Sequence, residues 1–287
     1  MSWAQVADEM REEKQALAVV NTKADAIALL DALDDAQALH LSSLMCGLHR
    51  RDTLAQVAAR LKAGDACHLV STQVVEAGVD VDFPLVLRAI GPLDRIVQAA
   101  GRCNREGRLE GLGRVVVFDP EVRRLPTGAY RTGTDETAGL LQSSDFDFDD
   151  PQVYQKYFRR FYQAVEPDAE NIQNLRRSFD YPEVSHRFRM VDDDTLPVIV
   201  RPKHLDKVVE IVDGLLASIR RLQPELSRRI IRELQPYLVN VRTRLLPGYQ
   251  KDGLLAELLP GLWEWSGRYD PVRGLVAENR DPDELVV

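Results

Sequence analysis

The sequence predicts an α/β protein: a parallel sheet covered by helices, followed by a linker and a smaller α+β C-terminal domain. Three observations predict it. Apolar, strand-like runs alternate with helix-periodic segments through residues 16–120. A turn-rich and acidic stretch then interrupts the pattern, and a mixed pattern resumes beyond it. Strands alternating with helices indicate parallel strands, because each crossover lays a helix on the sheet.

ALAVVN (16–21) is a short apolar run ending in Asn, and TKADAIALLDAL shows apolar residues at helical spacing. ALHLSSLM (38–45) reads as a strand, and RRDTLAQVAARLKAG as a helix closed by Gly64. ACHLVST (66–72), DFPLVLRAIG (82–91) and GRVVVFDP (113–120) read as further strands, with LDRIVQAAGRCNR a helix between the last two. From about Glu121 to Pro151 the pattern lapses: PTGAYRTGTDETAG reads as turn-rich, and SDFDFDDP as a solvated acidic linker. VYQKYFRRFYQAV (153–165) is an amphipathic aromatic helix. FRMVDDDTLPVIV (188–200) reads as two strands around a polar turn with Asp192–Thr195 at its tip. HLDKVVEIVDGLLASIRRL and SRRIIRELQ are helices, YLVNVRTRLL follows them, and GLWEWSGRYDPVRGLV is a small β-rich end piece. The expected division is a first unit over 1–125, a linker and helix over 126–175, and a C-terminal accessory domain over 176–287.

With 287 residues, 45% of them hydrophobic, the chain is long enough for one or two real cores. Its net charge of -8 argues against non-specific coating of polyanions, so any nucleotide or nucleic-acid site is a local basic patch. Cys46, Cys67 and Cys103 are scattered and lack paired spacing, which fits free thiols in a reducing compartment. Cys46 and His49 resemble half a metal site, but no second Cys/His pair accompanies them, so no metal is expected. The acidic start lacks the apolar segment of a signal peptide, and no run approaches transmembrane length. A soluble, cytoplasmic protein is expected.

Two segments carry the chemistry. LVSTQVVEAGVDVDFP (69–84) runs from a strand into a turn with Ser71, Thr72, Gln73, Glu76, Gly78 and Asp80. Hydroxyl residues at the carboxyl end of a strand suit phosphate or ribose contacts, and open α/β sheets bind ligands at that edge. Gly78 permits close backbone approach, and Asp80 can accept from a sugar hydroxyl. Local capping explains the same residues without a ligand. QAAGRCNREGR (98–108) places Arg102, Arg105 and Arg108 three apart. On a helix they and Gln98 share a face, and guanidinium forks suit phosphate oxygens. The plainer reading is a helix end whose cations meet the dipole and pair with Glu106 or Glu110.

Together and in this order, the two segments resemble motifs V and VI of the superfamily 2 helicases. The wording is most similar to the CRISPR-associated helicase-nuclease family Cas3. LAVVNTKADA, LMCGLHRRDTL, FRMVDDDTLPVIV, RRIIRELQPYLVNV and GRYDPVRGL extend the resemblance over nearly the whole chain. The resemblance implies a second RecA-like lobe (motifs IV to VI) followed by a C-terminal domain. It implies that Arg102 and Arg105 reach the γ-phosphate of ATP across a cleft, with Gln98 near the same phosphates. Gly78 and Asp80 would lie at the nucleotide edge, and Ser71 and Thr72 would face the backbone of single-stranded DNA. Arg108 matches no role in that pattern and is expected to be electrostatic or structural support.

The sequence has no GxxxxGK[ST] and no Gly-Lys dipeptide, so no phosphate-cradling loop is encoded. Asp135-Glu136-Thr137-Ala138 follows no apolar strand, and Asp8-Glu9 and Asp283-Glu284 lie near the termini, so none is expected to hold Mg²⁺. No His-Asp dipeptide marks a nuclease centre. The expectation is a C-terminal helicase portion that is inactive as an ATPase alone. It would complete a site for ATP and Mg²⁺ held mainly by a first lobe, and would partner that lobe, an HD nuclease domain, single-stranded DNA and an RNA-guided surveillance complex. The alternatives are a non-catalytic docking or DNA-binding module of a CRISPR system, or the second lobe of another superfamily 2 helicase. Arg176 with Arg177, and Arg228, Arg229 and Arg232, are further basic patches that solvated helix faces explain equally well.

Overall fold

A computed structural model describes residues 1–76, 78–143, 146–188, 195–221, 228–259, 261–277 and 282–285. The first half contains α1 (Trp3–Arg11), β1 (Gln15–Val19), α2 (Lys23–Leu33), β2 (Leu39–Leu41), α3 (Gly47–Ala63), β3 (Cys67–Ser71), β4 (Leu85–Ala89), α4 (Leu93–Ala100) and β5 (Arg114–Phe118). The five strands form one sheet in the order β2-β3-β1-β4-β5, every pairing parallel. Their carboxyl ends therefore share one edge, which gathers Asn21, Thr72 and Ile90.

Alternation along β1 explains the two faces. Ala16 and Ala18 join Val6, Met10, Leu29 and Leu33 under α1 and α2. Leu17 and Val19 join Val57, Leu69, Val86 and Ala99 under α3 and α4. Small residues on one side and large ones on the other let α1 and α2 approach the sheet closely. The helix α1, which sequence periodicity left unmarked, starts at a capping box in which the Ser2 hydroxyl accepts from Gln5 N–H and the Gln5 side chain accepts from Ser2 N–H.

Next come α5 (Ala129–Leu141), α6 (Pro151–Ala164), α7 (Ile172–Arg177) and α8 (Tyr181–Arg187). The turn-rich reading of PTGAYRTGTDETAG is corrected here, because α5 occupies most of it. Its poor helix formers have a packing reason. A Cβ at Gly133 would lie 2.8 Å from the Tyr157 hydroxyl and 3.2 Å from Pro92. The hydroxyls of Thr134 and Thr137 donate to the carbonyls of Tyr130 and Gly133 at 2.9 Å, so both stay satisfied while buried. Small and self-satisfied side chains are what this close helix contact requires. In the acidic stretch, Asp147 accepts from Asp149 N–H, and Asp150 caps α6 through Gln152 N–H.

The remainder holds β6 (Thr195–Ile199), α9 (Val208–Arg221), α10 (Arg228–Leu234), β7 (Leu238–Arg242), α11 (Leu246–Lys251), β8 (Leu255–Leu259), β9 (Leu262–Trp265), the small pair β10 (Tyr269–Asp270) and β11 (Gly274–Leu275), and α12 (Pro282–Leu285). A mixed sheet in the order β7-β6-β9-β8 is its centre. Of the expected strand pair over 188–200, Thr195 opens β6 rather than a turn tip, and residues 189–194 lie outside the described residues. The second sheet's core of Val198, Val241, Tyr249, Trp263 and Trp265 also takes in Leu44 and Cys46 of the first half. The seam is hydrogen-bonded too: Leu275 N–H donates to Leu44 O at 2.9 Å, and Cys46 N–H to the Tyr269 hydroxyl at 3.0 Å. Among the described residues, no helix is long and apolar enough to cross a membrane.

Candidate functional site

The site is built where β3 ends. Ser71, its last residue, is fully buried, and its hydroxyl lies 3.1 Å from Leu41 O and 2.8 Å from Thr72 O. Its side chain thus fixes the turn and presents no surface to a ligand. Thr72 is also largely buried but lines a cleft of about 680 Å³ with Asn21, Lys23, Arg124, Arg131 and Arg242. A single turn of 3₁₀ helix, Gln73–Val75, then reverses the chain. Gly78 follows at φ +70° with open space where a side chain would be, and Asp80 is exposed.

Behind this turn lies a buried polar hub. Arg88 of β4 is wholly buried; its guanidinium donates to Asn21 Oδ1 (2.8 Å), Ala89 O (2.7 Å) and the Tyr130 hydroxyl (2.9 Å). It also forms an ion pair with Glu76 at 3.0 Å, both side chains fully buried. Arg95 approaches the other Glu76 oxygen at 3.5 Å. Burial pushes the Glu76 carboxyl upward and the two arginines oppose that push. The Tyr130 hydroxyl donates to Asn21 Oδ1 at 2.7 Å, and Gln73 Nε2 donates to Asn21 O at 2.7 Å. The hub ties β1, the turn after β3, β4 and α5 into one unit at the carboxyl edge. A charged residue paired this closely in a dry interior sets geometry, because moving either partner strands a charge.

The arginine segment is not helical, which corrects the shared-face expectation. The helix α4 stops at Ala100, and Asn104 and Gly107 both take positive φ. The segment runs beside the turn instead: Phe83 N–H donates to Arg102 O at 2.9 Å, and Asn104 N–H to Phe83 O at 3.0 Å. Asp82 accepts from Arg105 N–H at 2.7 Å and from Glu106 N–H at 3.3 Å. This β-like pairing brings Arg102 and Arg105 to the residues the sequence associated with them. Arg102 donates to Glu76 O at 2.7 Å, and Arg105 pairs with Asp80 at 2.9 Å. Burial first, then the neighbouring charge of Arg105, pulls the Arg102 guanidinium below its ordinary value, with Asp80 opposing. Gln98 lies on an exposed part of α4, 3.5 Å from Arg95, and Arg108 pairs with Glu106. Arg102, Arg105, Gly78 and Asp80 are therefore assembled on one surface, with Gln98 on the adjoining helix. Thr72 belongs to a different cleft.

The remaining candidates are accounted for locally. Cys46 is a buried residue heading α3, and His49 has Tyr269 Oη 3.0 Å from Nδ1 and Pro271 O 3.0 Å from Nε2, so both ring nitrogens are engaged. Asp135 and Glu136 lie on α5 and Asp8 and Glu9 on α1. Arg176 and Arg177 donate to Gln173 and Asn174 along α7, and Arg229 pairs with Glu233. Arg88, Arg95 and Tyr130 were missed from the sequence. Arg88 did leave a signal, one charge inside the apolar run LVLRAI. Tyr130 left none, sitting in a segment read as turns.

A family model described as CRISPR-associated nuclease/helicase Cas3, C-terminal, matches residues 12–108, from just past the end of α1 to the last of the three arginines. The CRISPR-associated nuclease/helicase Cas3 of Haloferax volcanii is 57% identical over 58 residues, 18% of this chain and 6% of that protein. The one from Methanothermobacter thermautotrophicus is 26% identical over 167 residues, 57% of this chain and 20% of that protein. The crystal structure of T. fusca Cas3 superposes with a TM-score of 0.60 at 16% identity, covering 96% of this chain and 40% of that one. Its ATP form gives 0.58 at 19% identity, covering 95% of this chain and 40% of that one. The chain thus spans well under half of the relatives and structures it matches. The parallel five-stranded sheet with its helices is a RecA-like α/β fold, and the mixed sheet is the C-terminal part that accompanies it. In motifs, in sequence and in fold, this chain is similar to the C-terminal half of the CRISPR-associated nuclease/helicase Cas3 family.

Proposed function

We propose that this chain is the C-terminal portion of an ATP-dependent DNA helicase of CRISPR interference. In this reading it lends Arg102 and Arg105 to a nucleotide held by a first RecA-like lobe, and Thr72 to single-stranded DNA. The observation that carries the reading is the convergence of Arg102, Arg105, Gly78 and Asp80 on one surface, in a sequence with no phosphate-cradling loop. A partly buried Arg102 held below its ordinary value first by burial and then by the neighbouring charge of Arg105 fits a polyanion, which relieves that repulsion. ATP with Mg²⁺, bound mainly by the first lobe, would supply the phosphoryl chemistry.

What this chain's residues do follows from their contacts. Arg105 exchanges the Asp80 carboxylate for phosphate oxygens, an exposed ion pair costing little to break. Arg102 stays anchored on Glu76 O through one nitrogen and keeps donors free for the same phosphates. Gln98 and Gly78 border that surface. Ser71 holds the turn that presents Thr72, so its contribution to DNA is positional. Arginines placed this way act in trans, so the isolated chain has negligible turnover. The HD nuclease domain and an RNA-guided surveillance complex are the further partners this reading names. A chain of the "CRISPR RNA-guided surveillance complex, pre-nicking" structure shares the fold at a TM-score of 0.52 and 17% identity, and lends support. In this reading the protein works in the cytoplasm, without a membrane partner.

The test is complementation. The purified chain should hydrolyse no ATP, and adding a separately expressed first lobe with its P-loop and DExx box should restore DNA-stimulated ATPase. Turnover by the chain alone that Arg105→Ala abolishes, or no restoration by a demonstrably folded pair, sinks the reading.

A further inference from the structure

The hairpin of β10 and β11 is a two-stranded sheet of its own, and a cluster of histidines docks it onto the first half of the chain. His40, in β2, has Nδ1 3.2 Å from Val272 O. A carbonyl only accepts, so Nδ1 carries the proton, and Nε2 is a bare lone pair, buried with no hydrogen-bond partner among the described residues. His49, in α3, is fixed in one tautomer by its bonds. Its Nε2 donates to Pro271 O at 3.0 Å, which leaves Nδ1 to accept from the Tyr269 hydroxyl at 3.0 Å. That hydroxyl in turn accepts from Cys46 N–H at 3.0 Å. Burial, and then the neighbouring Cys46 thiol, raise the hydroxyl, so it keeps the hydrogen it donates. His204 closes the cluster: its ring stacks on Tyr269 at 13° and meets His49 edge-on, with centroids 4.6 Å apart. The bonds of His49 require a neutral ring, and so do the dry surroundings of His40 Nε2.

A proton disturbs both rings. On His49 it makes Nδ1 a donor facing a hydroxyl that already donates to it, and on His40 it places an N–H where no acceptor lies. We propose that the cluster is an acid-released latch: protonation of His40 and His49 frees the β10–β11 hairpin from β2 and α3 while both larger sheets stay folded. Charged groups face the rings from several elements. Asp52 of α3 and Asp270 of the hairpin favour the protonated rings, whereas Arg273 opposes a charge at His40 and the rings oppose one another. Arg60 of α3 lines the same small cavity but donates to Gln37 O, and Arg50 acts on the Tyr269 hydroxyl. Burial outweighs these charges and lowers His40 and His49 to about 4 each. The latch is therefore closed above about 6.5 and loosens as pH falls from there toward 4. The hairpin itself survives that range. Asp270 accepts from Val272 N–H and Arg273 N–H at 2.9 Å and from Arg268 at 2.7 Å, and against the push of burial these bonds hold its carboxyl below the ordinary value. The other polar ties to the first half are Leu275 N–H to Leu44 O and an exposed Arg273–Asp31 ion pair, which is worth little in water.

The experiment reads the cysteines of the unaltered full chain. Cys46 and Cys67 are both fully buried, the first in the core that Leu275 of the hairpin shares and the second in the core of the parallel sheet. The chain is labelled with dithiodipyridine at steps from about pH 7 to about pH 5, and each site is quantified by peptide mass spectrometry. Protection is the rate in the urea-unfolded chain divided by the native rate at the same pH. Protection of Cys46 should fall about tenfold for each histidine that takes up a proton, while Cys67 keeps its protection and circular dichroism is unchanged. His40→Asn/His49→Gln should make Cys46 protection independent of pH over this range. Constant protection of Cys46 in the parent overturns the latch, as does a parental pH slope in the double variant. Loss at Cys46 and Cys67 together is global unfolding and overturns it as well.

Discussion

Two carboxylate–arginine pairs stand four residues apart in one turn and face opposite ways. Glu76 meets Arg88 inside the fold, both side chains wholly buried, and Asp80 meets Arg105 outside, 78% and 43% exposed. Their distances, 3.0 and 2.9 Å, are nearly the same. Their surroundings decide their use. In a dry interior the partners cannot separate without stranding a charge, so the inner pair fixes shape. In water the outer pair is worth little, so Arg105 is free to change partners. Arg102 bridges the two regimes, because it is tied to the main chain of Glu76 and stands beside Arg105. The proposed motor role would call on both, a rigid frame that places the arginines and arginines that are not already committed.

The comparison is breakable by stability measurements, in descending order of expected effect. Arg88→Ala should cost about 3–5 kcal/mol in denaturant unfolding, since Glu76 is left buried with only the partly exposed Arg95 near it; a loss below about 1 kcal/mol would show that the hub does not hold the frame. A pH effect at the seam between the two sheets should come next. Burial lowers His40 and His49 to about 4 each. Both bind a proton more readily unfolded than folded, so their stabilisation is full above about 6.5 and is lost as pH falls from there toward 4. Asp25, raised to about 6 by burial, opposes this, its own stabilisation being present at low pH and lost as pH rises through 6. Glu76, also pushed up by burial, acts with Asp25, and His204, also lowered by burial, acts with the other two histidines; three histidines against two carboxylates mean that unfolding curves should weaken from pH 7 to pH 5, and His40→Asn should reduce that slope. Tyr130→Phe, which removes one hydroxyl shared by Arg88 and Asn21, should cost about 1 kcal/mol or somewhat more. Asp80→Ala should cost about 0.2–1 kcal/mol, and a larger loss would make the outer pair structural after all.

Much of this was legible in the residues. The alternation along ALAVV, the apolar runs LVLRAI and RVVVF, and the helical spacing of TKADAIALLDAL needed only periodicity to be placed. So did the association of the two motifs, although by a wrong route. A helical face was expected to align Gln98, Arg102 and Arg105, whereas positive φ at Asn104 and Gly107 and the pairing with Phe83 do it. Long-range pairing leaves no local trace in a short segment, which is why spacing alone misled. The α5 segment failed for a related reason. Its Gly and Thr residues weaken a lone helix, and only the contact with Tyr157 and Pro92 explains them. Ser71 was readable as a strand-end hydroxyl, but its burial depends on Leu41, thirty residues away. Chemistry was legible where one residue type carries it, and orientation was not.

The central claim is that Arg105 is poised for phosphate rather than spent on Asp80. Its most direct test is DNA-stimulated ATPase of the chain complemented by a first lobe, comparing the parent with Arg105→Ala. A fall of about 10³–10⁵ in turnover at unchanged chain stability is the expected result. Parental turnover in Arg105→Ala, with assembly of the two lobes verified, would contradict it.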